Sequence, residues 1–177
     1  FKKIKELAIS GLMIFGLVAF FTLPAFLEQR YVQVDTLIVG YYEYIAHFAN
    51  LNQLLNSRYW GYGPSVWMEA DRMPFQIGHV HWILSLLILF FVIWKFKTIK
   101  RIKKDYKQAL LITVLFVLVG WFSLFMGHSR SSFLWRMVPP LKFVQFPWRF
   151  LTLATISFSF IARILTKFFT EKIFKTL

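Results

Sequence analysis

Apolar residues gather into four long runs, at 7–26, 81–96, 109–126 and 150–165, none of which contains an acidic residue. A membrane-spanning helix needs about 20 predominantly apolar residues. The first and third runs meet that length, and flanking aromatics extend the second and fourth toward it. In hydrocarbon every backbone polar group must be bonded within the segment, so each run is expected to be a helix. The expected class is therefore all-α integral membrane, with about four transmembrane helices in a single membrane domain over 1–177. The chain opens on Phe1, and we expect it to be a fragment of a longer protein.

The connections are patterned too. In DTLIVGYYEYIAHFANLNQLL, Ile38, Tyr41, Ile45, Phe48, Leu51 and Leu55 recur every three or four residues. That spacing predicts an amphipathic surface helix with Asp35 as its N-cap. In RYWGYGPSVWMEADRMPFQIGHVHW, Gly61, Gly63, Pro64, Pro74 and Gly78 rule out a long regular element and leave an aromatic-rich loop.

Charge orients the spans. The segment KFKTIKRIKKDYK, around the 97–108 connection, carries seven basic residues and one acid. Lys2, Lys3 and Lys5 precede the first run, and Lys167, Lys172 and Lys175 follow the last. By the positive-inside rule these regions, with both termini, are expected in the cytoplasm of a multi-pass cell-membrane protein. Loops 27–80 and 127–149 then face outward. The net charge of +13 raises nucleic-acid binding as a possibility, but the basic residues lie in clusters between apolar runs rather than along a groove. Membrane lipids are the expected partners. With no cysteine there is neither a disulfide frame nor a thiolate metal site. No cofactor is expected.

The outward loops hold the varied chemistry. In KFVQFPWRFL, Pro147 suits a first helical turn and Trp148 suits a membrane interface. Arg149 stands at the wrong end of a helix for a cation. Either it snorkels to lipid phosphates or it joins the helix N–H groups in an anion site. Arg130 and Arg136 lie in the same acid-free loop. Trp60, Tyr62 and Trp67 suit either the headgroup region or the apolar face of a sugar ring. Glu69 and Asp71 suit hydroxyl binding or simple surface charge. His79 and His81 are two apart and share no helix face, so no metal site is assigned to them.

WGYGPS, then Asp71-x-Met73-x-Phe75-Gln76-x-Gly78, then Trp135, Pro139 and QFPWRFL together resemble the bacterial and archaeal membrane proteins called 6-pyruvoyl-tetrahydropterin synthase-related. Those are polytopic proteins similar to GT-C glycosyltransferases, which use polyprenyl-phosphate sugars. The match covers about Trp60 to Leu151 and is to the family's C-terminal part; Pro74 departs from the small polar residue expected there. The resemblance implies an outer-face site for a polyprenyl-phosphate-linked sugar. Arg149, Arg136 and Arg130 would serve the phosphate, and Trp60, Tyr62, Asp71 and Gln76 the sugar or acceptor. It assigns no catalytic residue, because the family's catalytic acid belongs to an earlier loop. The competing class is a non-catalytic scaffold or envelope-polymer assembly subunit. A transporter fits least well, since the spans offer only Arg163 near one end.

Overall fold

The computed structural model describes residues 2–65, 73–98 and 104–161. They fall in two compact units, one ending at Val39 and the other beginning at Gly40. Among the described residues all regular structure is helical, and extended pairing is limited to a bridge between Ala49 and His128.

The first unit is helix α1 (Lys2–Leu27), followed by 3-10 turns at Gln29–Tyr31 and Val34–Ile38. Leu12, Met13, Ile14 and Phe15 are all exposed. Four successive residues go once around a helix, so α1 is apolar on every side. Such a helix belongs in lipid or in a large apolar core. Its twenty-residue apolar run rises about 30 Å, the thickness of a bilayer's hydrocarbon. Pro24 lies near its end, and the Pro24 carbonyl still accepts from the Glu28 N–H at 2.8 Å.

The amphipathic helix expected from Asp35 onward does not form. Asp35 lies inside a 3-10 turn whose N-cap is Gln33. Beyond it come two further 3-10 turns, Gly40–Tyr42 and Tyr44–His47. Gly40 takes φ +62°, a left-handed conformation that interrupts a right-handed helix. Glu43 and Phe48 are extended. The only α-helix in this stretch is the short α2 (Leu51–Leu55). Asn50 caps it: its side chain accepts from the Gln53 N–H, and the Gln53 side chain accepts in return from the Asn50 N–H. That reciprocal pair satisfies two of the donors a helix start leaves open.

Three longer helices build the second unit: α3 (His79–Thr98), α4 (Lys104–Gly127) and the described part of α6, residues 150–161. Between α4 and α6 come α5 (Ser132–Met137) and 3-10 turns at Ser129–Ser131, Pro139–Val144 and Pro147–Arg149. The core joins Ile88 and Val92 of α3, Leu110, Val117 and Leu124 of α4, and Ala154, Phe158 and Ile161 of α6. Gly120 lets α6 approach closely, because a Cβ there would overlap the Phe158 ring. The Trp121 indole N–H donates to Ser85 Oγ at 3.1 Å, and Ser85 Oγ donates to the Trp82 carbonyl at 2.8 Å, tying α4 to α3.

Among the described residues two segments, Lys3–Tyr31 and Lys107–Gly127, are long and apolar enough to cross a membrane. Helices also form at the second and fourth runs. Among the described residues, the apolar part of α3, His79–Trp94, is shorter than a span. Residues 162–165 of the fourth run lie outside the described residues.

Candidate functional site

Among the described residues of the second unit, two cavities lie on either side of one seam. The Ile77 N–H donates to the Leu54 carbonyl at 3.2 Å. Leu54 lines the first cavity and Ile77 the second. Gly127, at the end of α4, lies at the same seam: a Cβ added there would meet Leu151 at 3.6 Å and Leu54 at 4.0 Å.

The first cavity is a slot of about 270 Å³ between α2 and the C-terminal half of α4. Leu51, Leu54, Leu55, Trp121, Leu124 and Phe125 form its walls, and His128 and Arg130 supply its polar side. The loop bearing those two residues is held firmly. The Met126 carbonyl, orphaned at the end of α4, accepts from Ser131 Oγ at 3.1 Å and from the Trp135 indole N–H at 3.2 Å. Trp135 is fully buried and stacks on Tyr44 with ring centres 5.1 Å apart.

His128 Nδ1 accepts from the Arg130 backbone N–H at 3.1 Å. Burial, and after it the Arg130 charge, push the His128 pKa below the ordinary 6.5. The ring is therefore neutral at pH 7, and Arg130 supplies the slot's positive charge. The Arg130 guanidinium is exposed and makes no ion pair among the described residues. Among the described residues, no acidic side chain lines the slot.

The second cavity is an open cleft of about 350 Å³ between residues 73–77 and the start of α6. Gln76, Thr152 and Thr155 line it, with Phe75, Leu151 and Ile156 among its apolar walls. Trp148 lines it as well. Among the described residues, the Trp148 indole N–H is buried and has no hydrogen-bond partner. A buried donor left unpaired costs about 1–3 kcal/mol.

The expected site residues take different positions. Arg149 lies in the 3-10 turn Pro147–Arg149 ahead of α6, and its guanidinium is engaged. Nη1 donates to the Val144 carbonyl at 2.9 Å, and the group sits over the Phe146 ring at 5.0 Å. This resolves the apparent conflict with the helix N-terminus. The charge turns back toward the carbonyl end of the preceding turn, where a cation is favourable. Gln145, with φ +64°, makes the reversal between them. Arg136 is exposed on α5. Trp60 and Tyr62 are exposed neighbours with ring centres 6.1 Å apart. The Gln76 side-chain amide donates to His79 Nδ1 at 3.0 Å and Gln76 lines the cleft. Asp71, with Trp67 and Glu69, lies outside the described residues.

His79 and His81 turn to different partners, His81 Nε2 facing Ser159 Oγ of α6 at 3.5 Å. Among the described residues no three metal-ligating His, Asp or Glu side chains come together. The structure adds a pair that spacing does not single out, His47 and Ser65, both buried. The His47 Nε2–H donates to the Tyr41 carbonyl, so in the neutral ring Nδ1 accepts from the Ser65 hydroxyl at 2.6 Å. This pins the GYGPS segment onto the Tyr44–His47 turn.

Comparison of the chain with protein-family models, curated proteins and solved structures found no match in any of the three.

Proposed function

We propose that this chain is part of a multi-pass membrane protein, similar to GT-C glycosyltransferases, that holds a polyprenyl-phosphate-linked sugar at the outer membrane face. In this proposal α1, α3, α4 and α6 all cross the bilayer, the termini of this chain are cytoplasmic, and loops 27–80 and 127–149 face outward. Arg130 holds the phosphate and the α2–α4 slot holds the first isoprene units.

One observation carries this reading. Among the described residues, an unpaired guanidinium stands beside an apolar slot that no acidic residue lines. An anion with an apolar tail satisfies both halves at once. Arg136 is a free cation in the same loop, while Arg149 is already bound to its own backbone and serves the phosphate less directly.

The test is binding of farnesyl phosphate and of farnesol to the full chain in phosphatidylcholine nanodiscs. The phosphate should bind at least tenfold more tightly than the alcohol, about 1.4 kcal/mol or more. Arg130→Gln should abolish that preference. Equal binding of the two, or a preference that survives the substitution, would sink the proposal. The second reading, a non-catalytic membrane scaffold, is favoured by one feature: α1 exposes apolar side chains on every side, as a helix made to dock on other helices does.

A further inference from the structure

We propose that α5 and the 3-10 turn after it form a shelf that docks on a bilayer surface carrying anionic phospholipid. Phe133, Arg136 and Met137 of α5 are spaced three and four apart, so they share one side of the helix. All three are exposed. Trp135 projects from the other side into the core, where it is fully buried and stacks on Tyr44. That contact, with the bond from the Trp135 indole N–H to the Met126 carbonyl, fixes which side of α5 faces out. The turn Pro139–Val144 repeats the pattern: Lys142 and Phe143 set an exposed cation beside an exposed apolar ring.

Position and charge select the occupant. The apolar segment Lys107–Gly127 rises about 30 Å, the thickness of a bilayer's hydrocarbon. The shelf is pinned to the end of that segment through Met126, so it lies at headgroup depth where α4 crosses a bilayer. Residues 127–149 contain no Asp or Glu. Among the described residues neither Arg136 nor Lys142 has an acidic partner. Apolar side chains interleaved with cations at that depth match acyl chains and anionic headgroups together. The inference rests on α4 as a span and does not need the lipid-phosphate proposal at Arg130.

The chain has no cysteine, so Met137→Cys places a single nitrobenzoxadiazole fluorophore on the shelf of the full chain. Nanodiscs of phosphatidylcholine, with or without phosphatidylglycerol, carry nitroxide-bearing lipid that reports contact by quenching. Each cation near an anionic surface favours docking about fivefold. Quenching at residue 137 should be about twofold or more stronger with phosphatidylglycerol. Arg136→Gln combined with Lys142→Gln should remove that difference. Leu118→Cys, exposed midway along α4, is the control and should be quenched equally in both lipids. Quenching at 118 with none at 137 would overturn the inference and leave the membrane reading standing, with protein rather than lipid over the shelf. Quenching at 137 that is indifferent to phosphatidylglycerol, or a difference that survives the double substitution, would contradict it too. No quenching at either residue would remove α4 as a span and the inference with it.

Discussion

His47 is 2% exposed and both its ring nitrogens are engaged. Removing one partner leaves a buried acceptor unpaired, which costs more than the bond itself contributes. Ser65→Ala is expected to lower stability by about 1–3 kcal/mol, read from chemical denaturation in nanodiscs. Ser65→Thr, which keeps the hydroxyl, should lose less. His128 is a different case. Burial and the neighbouring Arg130 charge disfavour its protonated form in the native state, so the unfolded chain takes up the proton first. The stability tied to the neutral ring is complete above the ordinary 6.5 and is lost as pH falls through the lowered native value. The denaturation midpoint should therefore fall on acidification from 6.5 down to that native value, and His128→Gln should flatten this part of the profile. A profile unchanged by the substitution would show that other groups set the acid limit.

At the scale of elements, α2 and the α4–α6 contact carry the site. Asn50→Ala removes half of the capping pair and should cost about 1 kcal/mol. Because α2 supplies Leu51, Leu54 and Leu55 to the slot, prenyl-phosphate affinity should fall with it, although residue 50 does not line the slot. Gly120→Ala should destabilise by about 1–3 kcal/mol, since Phe158 is buried and cannot swing clear. Phe158→Leu should recover part of that loss in a double-mutant cycle.

Helix at the four apolar runs was legible because apolar character does not depend on partners, and two of the described segments have the length and hydropathy of a span. The stretch 35–55 was misread because residues spaced three and four apart imply a helix only where the backbone can continue. Gly40 at positive φ, with Glu43 and Phe48 extended, breaks it. The true cap, Asn50 with Gln53, was present as a local signal but lay inside the longer period. The slot was not legible, since Leu51 and Trp121 meet only through tertiary packing. Arg130 was picked out for its acid-free loop, and Arg149 for a helix-end conflict that its bond to Val144 removes.

At the scale of the whole molecule, the distribution of lysine and arginine sets the proposed topology. The chain has no cysteine, so single substitutions report orientation without a background. Tyr62→Cys and Lys107→Cys should react with a membrane-impermeant maleimide from opposite sides of an intact membrane. Reaction of both from one side would contradict an outward loop 27–80 paired with an inward connection at 97–108. The proposed topology would put Arg130 and the slot at the outward end of α4, where a prenyl chain could enter from lipid while its phosphate stays at the interface. The measurement that tests the proposed role most directly is photolabelling of the full chain in nanodiscs with a diazirine-bearing farnesyl phosphate, mapped by peptide mass spectrometry. The expected result is saturable labelling of Leu51–Leu55 and of the Trp121–Phe125 turn of α4, lost in Arg130→Gln. Labelling confined to α1, or labelling that excess farnesyl phosphate does not compete, would contradict it.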